Sequence, residues 1–250
     1  MDKIHMSPTR AFKFSKNPLR AYHDYTGEHP WWEGSKDALL FGTIVHNVAE
    51  GRDKTQDISE EDKDLLISKA GKTKGQLKKA YVDAEVIGNH LRDYVLTFSA
   101  LPFGQAEYEV EINEETETGQ GVQFTATGRA DMLTKKAVFD FKTVAPMDFD
   151  GFIEYGSFRD NRQEEYKKQI AYYAFMFDKK EAHLIYIKKD PDKPFIYDFK
   201  MDHDEILRYA NEMADEIEQA VHYVDCPDNL EAINDGSQWA YEQFGGVIDV

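Results

Sequence analysis

A single cysteine, Cys226, stands in 250 residues. That excludes an internal disulfide framework, a cysteine-rich zinc site and a four-cysteine iron–sulfur cluster. No stretch approaches the roughly 20 apolar residues a membrane span needs, and the N-terminal residues lack the apolar centre of a signal peptide. A reducing cytoplasm and no membrane partner are expected. No GxxxxGK[ST] sequence occurs, which argues against a P-loop nucleotide site. Positive charge is also scarce: 30 Lys and Arg face 47 Asp and Glu, for a net charge of −17. Such a chain is a poor general nucleic-acid coat. An enzyme with a local basic groove and carboxylates gathered around metal ions remains open, and the acid excess also serves solubility.

What is present is globular in character, with 41% hydrophobic and 13% aromatic residues. "SKNPLRAYHDY" has the Ser/Asn start and early Pro of a helix, and "KDALLFGTIVHNVAEG" reads as a second helix stopped by Gly51. "SEEDKDLLISKA" starts at Ser59 with acids in its first turn. "KGQLKKAYVDAEVIGNHLRDYVLTFSA" is amphipathic, with Leu77, Tyr81, Ala84, Ile87, Leu91 and Val95 on one core-facing stripe. After Pro102 the period changes. "QAEYEVEI" alternates Tyr108, Val110 and Ile112 against Glu107, Glu109 and Glu111, and "VQFTATGRADML" returns as its hairpin partner. "AVFDFKTV" is a third strand, "RQEEYKKQIAYYAFMFD" a helix, and "EAHLIYIKK" and "KPFIYDFKM" two later strands. A helix opening at Asp202 closes the pattern. The expected architecture is α/β (α+β): one domain over 1–250, mainly helical over 1–100, with a core over 101–225 and a C-terminal tail over 226–250. Its central mixed sheet is flanked by helices.

The strand "AVFDFKTV" carries Asp140 and Lys142 on one face, since side chains repeat with period two. If the short "TKK" connection turns the chain back, Asp131 lies on the adjacent strand. Two converging carboxylates make an oxygen-rich site suited to Mg²⁺ or Mn²⁺. An ammonium beside them could orient or help deprotonate a water and stabilise charge on a phosphate, and the Phe141 carbonyl could add a hard ligand. By spacing alone, a same-face pair on an exposed edge strand is the better explanation of Asp140 and Lys142. Other residues join the pattern: Gly42-x-x-x-His46-x-x-x-Glu50 upstream on one helix face, Gly128-Arg129-x-Asp131, and Gln169-x-x-x-Tyr173 downstream.

This ordered set resembles the RecB-type branch of the PD-(D/E)XK nucleases, most of all the exonuclease VIII (RecE-like) enzymes of phages and prophages. "SPTRAFKFSKNPLRAYHDYTG" followed by "LLFGTIVHNVAEG" is similar to the start of that group's nuclease domain, so the likeness runs from about residue 7 to 180. It implies a restriction-endonuclease-like core and metal-dependent hydrolysis of DNA phosphodiesters without ATP. His46, Asp131 and Asp140 become metal ligands for two Mg²⁺ or Mn²⁺ ions, with the Phe141 carbonyl beside them. Lys142 becomes the catalytic lysine, and Gln169 and Tyr173 contact DNA or buttress it. Glu109 is the candidate extra acid; an outward-facing strand carboxylate is the alternative. The resemblance also implies linear duplex ends as substrate, a ring-shaped homo-oligomer, a single-strand annealing protein as candidate partner, and the cytoplasm of a bacterial host.

Three readings compete with the exonuclease: a single-strand- or structure-specific nuclease of the same superfamily, an inactive nuclease fold that binds DNA or scaffolds, and an acidic surface docked on a basic partner. Arg10, Lys13, Lys16 and Arg20, with Arg159, Arg162, Lys167 and Lys168, are expected to line a DNA groove. Tyr25, Trp31 and Trp32 either stack on bases or pack on the core.

Overall fold

Asn17 ends one helix and begins the next. The computed structural model describes residues 3–31, 35–99, 105–155 and 162–244. In it, "SKNPLRAYHDY" does not form one helix. Helix α1 (Pro8–Lys16) starts at Ser7, whose side chain accepts the Arg10 N–H, and stops at Asn17, whose backbone is extended. The Asn17 side chain then accepts the Arg20 N–H and starts α2 (Pro18–Thr26), with Pro18 in its first turn. The described part of the C-terminal segment is tied to this corner. Asn17 Nδ2 donates to the Ile233 carbonyl at 2.7 Å, and the Arg20 guanidinium meets Asp235 at 3.1 Å. Trp239 of a short last helix, α9 (Gln238–Gln243), is buried near the His23 ring.

Three further helices precede the main strands: α3 (Asp37–Ala49), α4 (Glu60–Leu66) and α5 (Lys79–Leu96). Ser59 caps α4 as its sequence suggests. The amphipathic stripe starts its helix at Lys79, because Leu77 is drawn into an extended bridge with Ile67. Tyr81, Ala84, Ile87, Leu91 and Val95 pack with Leu40, Ile44, Val45 and Val48 of α3 in one core cluster. That packing fixes the helix carrying His46.

The sheet contains β1 (Ile4–Met6), β2 (Glu107–Glu117), β3 (Gln123–Leu133), β4 (Ala137–Val144), β5 (Glu181–Lys188) and β6 (Ile196–Met201). Its order is β1-β3-β4-β5-β6, with β2 on the other edge of β3. β1 is parallel to β3 and β4 to β5, while the β2–β3, β3–β4 and β5–β6 pairs are antiparallel. The mixed α/β architecture is therefore the one expected, although β1 is too short to read from sequence. The β4–β5 crossover carries α6 (Pro146–Tyr155) and α7 (Arg162–Met176). The long α8 (His203–Asp225) starts with a capping box between Asp202 and Glu205. Helices α1, α7 and α8 cover one face of the sheet and α3 and α5 the other.

The edge of β3 that faces β4 is shared. Residues Phe124 to Ala126 pair with β1, Met132 and Leu133 pair with β4, and the stretch between pairs with neither on that side. The sheet forks there. Continuing the β3–β4 register by one step sets Asp131 opposite Asp140, at the point where the strands part.

One glycine tests the helix pairing that supports His46. A Cβ on Gly88 of α5 would lie 2.7 Å from Val48 Cβ and 2.9 Å from the Val45 carbonyl oxygen of α3. Glycine to alanine inside a helix ordinarily stabilises by about 1 kcal/mol, but here overpacking costs about 1–3 kcal/mol. Gly88→Ala is therefore expected to lower the urea midpoint with an unchanged slope. A raised midpoint would mean that α3 and α5 do not approach this closely.

Candidate active site

At the fork, side chains take over from the missing ladder. Asp131 Oδ2 accepts the Phe141 backbone N–H at 2.6 Å, a bond that a strand carbonyl would otherwise supply. His46 reaches the same point from α3. Its Nε2 lies 3.1 Å from the Phe141 carbonyl oxygen and its Nδ1 3.5 Å from Asp131 Oδ1. The Phe141 carbonyl, a candidate metal ligand by sequence, is thus engaged by His46 in this arrangement.

On the neighbouring strand, Lys142 Nζ forms an ion pair with Asp140 Oδ2 at 2.7 Å and lies 4.6 Å from the centre of the Tyr166 ring. Gln169 Oε1 accepts from Lys142 Nζ at 3.4 Å, and Gln169 Nε2 donates to the Tyr173 hydroxyl at 3.1 Å. Tyr173 fits because residue 128 has no side chain: a Cβ there would sit 2.5 Å from Tyr173 Cε1. Gln169 and Tyr173, one turn apart on α7, buttress the lysine in the described arrangement.

Glu109 enters from β2. It stands at the position opposite Asp131 in the β2–β3 register, with a left-handed φ of 55° that a glutamate adopts only at a cost. Its carboxylate is clasped by Arg129 and by Arg52 Nη2, the latter at 3.3 Å. Arg52 is the residue that the motif reading passed over. Its guanidinium also meets Glu50 and Asp57, each at 2.6 Å, so three carboxylates share one arginine. The sequence signal was an arginine two residues beyond the His46–Glu50 face, at a helix end.

One ligand atom each from His46, Glu109 and Asp131 lie within 4.8 Å of one another. Among the described residues this is the one such group. Imidazole nitrogen and carboxylate oxygen, without thiolate, are donors that suit a hard or borderline divalent ion. Asp140 stands outside this trio and pairs with Lys142. The residues fit a divalent metal.

Electrostatics separate the acids. Asp140 is pushed up to about 6 by burial and by the Asp131 charge, against the pull of Lys142. For Asp131 burial works upward, but His46, Lys142 and the Phe141 N–H outweigh it and hold the carboxyl below its usual range. Burial works to strip Lys142 of its proton, yet Asp140 and Asp131 more than compensate, and its pKa stands above the ordinary lysine value. Paired with Asp140 in this way, the Lys142 ammonium is placed to orient a water and stabilise negative charge.

Two clefts meet at Asp131 and Lys142. One, of about 650 Å³, runs past His46 and Arg52; the other, of about 1020 Å³, runs past Arg10, Gln169 and Tyr173. The expected basic groove is only partly realised. Arg10 and Arg162 line the clefts. Lys167 and Lys168 do not: Glu164 holds the first, and Glu212 and Glu216 of α8 hold the second, because the helical period turns them away from Gln169. Lys13 pairs with Asp24, Lys16 with Glu165 and Arg20 with Asp235. Arg159 and Trp32 lie outside the described residues. Tyr25 lines the second cleft, and Trp31 packs on the core under the Arg20 guanidinium.

A family model described as a PDDEXK-like domain of unknown function (DUF3799) matches residues 9–221. The chain belongs to this family. The superfamily read from the motifs is thus the right one. A solved structure named "Putative exonuclease" from Eubacterium rectale shares the fold at a TM-score of 0.70 and 16% identity, over 98% of this chain and 90% of that one. The alkaline exonuclease LHK-Exo from Laribacter hongkongensis is matched at a TM-score of 0.32 and 15% identity, over 75% of this chain and 95% of that one. No curated protein matches the chain.

Glu50 gives this DUF3799 site a pH signature. Burial, then the Glu109 charge, push its carboxyl from an ordinary 4.5 to about 8, although Arg52 lies 2.6 Å away. Its Oε1 is buried without a hydrogen bond among the described residues. The folded state therefore keeps a proton that the unfolded chain releases, and that contribution to stability fades as pH rises from about 4.5 through about 8. With chelator present, Glu50→Gln should gain stability relative to the unaltered protein over this window. A stability difference that stays flat from pH 5 to 9 would show that Arg52 keeps Glu50 ionised throughout.

Proposed function

We propose that the chain is a metal-dependent DNA exonuclease that hydrolyses phosphodiesters at linear duplex ends. The observation that carries this reading is the fork itself, where Asp131 and Asp140 flank the parting strands with Lys142 against Asp140 and with His46 and Glu109 alongside. His46, Glu109 and Asp131, joined by Asp140, would hold Mg²⁺ or Mn²⁺, two ions in the full reading. When bound, such ions supply Lewis-acid activation of the phosphate and of a water at neutral pH.

The chain's own residues do the rest. Lys142 is fixed by Asp140, Gln169 and the Tyr166 ring, so its charge is already aimed when negative charge develops on the phosphate. Gln169 and Tyr173 hold its direction. Arg52 and Arg129 keep Glu109 near Asp131 and reduce the repulsion between the two acids. ATP plays no part, in keeping with the absence of a P-loop sequence.

The finer reading follows the motif order His46, Asp131, Asp140-x-Lys142, Gln169-x-x-x-Tyr173. It is a RecE-like enzyme of phage or prophage origin that exposes single strands for recombination. It works in the host cytoplasm as a homo-oligomeric ring beside an annealing protein.

Digestion of linear duplex, covalently closed circular and single-stranded DNA, in Mg²⁺ and in EDTA, tests this. Linear duplex is expected to be lost in Mg²⁺ alone, with the closed circle spared. Cleavage of the circle at the linear rate, or preference for the single strand, would replace the duplex-end reading with another nuclease of the superfamily. Complete inactivity would favour the binding module. Lys142→Ala is expected to keep DNA and Mn²⁺ affinity within a few fold while losing on the order of 10²–10⁴ in turnover. Near-normal turnover would remove Lys142 from the chemistry. In calorimetry, Asp131→Ala should abolish Mn²⁺ binding; an unchanged isotherm would overturn the metal assignment.

A further inference from the structure

Most of the cations around the fork are already matched. Arg52 and Arg129 hold Glu109, and Lys142 holds Asp140. Lys189 is different. It lines the same cleft as His46 and Lys142, one residue past the end of β5, and its backbone N–H donates to the Val144 carbonyl at 2.8 Å. Its ammonium lies 4.9 Å from the centre of the Phe41 ring. Among the described residues no carboxylate stands within ion-pairing reach of it. Its neighbour Lys188 shows the contrast, being held by Asp150 at 2.8 Å. Asp148 lines the same cleft but lies beyond ion-pair distance of Lys189, so the field of the ammonium is not cancelled.

An unmatched ammonium that is partly withdrawn from water is costly, and burial alone lowers its pKa below the ordinary lysine value. The aromatic ring repays part of that cost. In a chain with a net charge of −17, an anchored and unneutralised cation in the cleft calls for an anion.

We propose that Lys189 is a binding site for a backbone phosphate of the nucleic acid strand, next to the phosphate being cleaved. The position is set by the cleft. Lys189 is anchored beside Val144, two residues past Lys142 on β4, and lines the same cleft as Asp131 and Lys142. A strand whose scissile phosphate sits at Asp131 and Lys142 and which runs along this cleft therefore brings a neighbouring phosphate to Lys189. The Phe41 ring faces the ammonium and Val144 holds the backbone, so little side-chain freedom remains to be lost on binding. The site reads phosphate and not sequence, as suits an enzyme that must pass along any DNA.

The proposal rests on the nuclease reading, and the experiment separates the two. Binding of a short labelled DNA duplex is followed by anisotropy over a range of salt concentrations, in Ca²⁺ to hold off turnover. Hydrolysis of bis(p-nitrophenyl) phosphate, which carries one phosphate only, is measured in Mn²⁺. Lys189→Met is expected to bind the duplex on the order of tenfold more weakly at low salt. Its log–log salt slope should flatten by about 0.9, while it cleaves the small ester at the normal rate. Lys189→Arg should restore both affinity and slope. Unaltered protein that binds the duplex, beside Lys189→Met with the same affinity and slope, overturns the phosphate site and leaves the nuclease reading standing. Equal loss on the duplex and on the single-phosphate ester also overturns it, because the substitution would then act on the reacting centre. If the unaltered protein neither binds the duplex nor cleaves the ester, the nuclease reading falls and the site falls with it.

Discussion

A gap in one strand edge organises the molecule. β3 has a continuous partner in β2, but its other edge serves two strands, β1 at one end and β4 at the other. Backbone groups in such a gap lose their ladder partners, and each one buried unsatisfied costs about 1–3 kcal/mol. The fold answers with side chains. Asp131 accepts the Phe141 N–H, Thr127 donates to the Met6 carbonyl at 3.2 Å, and Tyr173 lies against Gly128. Functional groups can converge in the gap because no neighbouring strand fills it. A continuous sheet would have set the same residues in rows, with backbone where the cleft now runs.

Charge in the fork is dense and nearly matched. His46, Lys142, Arg52 and Arg129 face Asp131, Asp140, Glu109 and Glu50, and each acid has at least one basic neighbour within about 3.5 Å. Burial makes those contacts stronger than surface ion pairs and makes a lost partner expensive. The acid excess of the chain lies elsewhere. Glu212 and Glu216 on α8 draw Lys168 out of the α7 face that borders the cleft. An acidic exterior around a balanced cleft disfavours non-specific coating of DNA and leaves entry to the few cations that remain available.

The local chemistry was legible in sequence, and the long-range geometry was not. Asp140 and Lys142 share a strand face by period alone, and Gln169 and Tyr173 share a helix face, so both pairs could be read and both meet at the fork. His46 on the Gly42–Glu50 face was legible for the same reason. The fork depends on which strand pairs with β3 where, and a three-residue β1 carries no periodic signal. Arg52 was missed because its three carboxylates come from 50, 57 and 109, a set that no spacing rule links. Lys167 and Lys168 show the opposite error. Proximity in sequence to Gln169 suggested the cleft, but a helix turns by about 100° per residue, and the two positions before Gln169 face α8.

Glu109 shows how the fork is held open. Regular extended backbone would set its carboxylate in the alternating row with Glu107 and Glu111, one more acid on a polar strand face. The left-handed turn at this one residue re-aims it, at a cost of order 1–3 kcal/mol for a residue other than glycine. Nothing in β2 itself offsets that cost, since the pairing with β3 resumes in the same register on both sides of Glu109. The offset comes from outside the strand, through Arg129 across the ladder and Arg52 from the end of α3. Of the two, Arg129 ties the strain in β2 to β3, and Arg52 ties it to the helix that presents His46. The three prospective ligands therefore depend on β2, β3 and α3 together, and the last of these is set by its packing against α5 at Gly88.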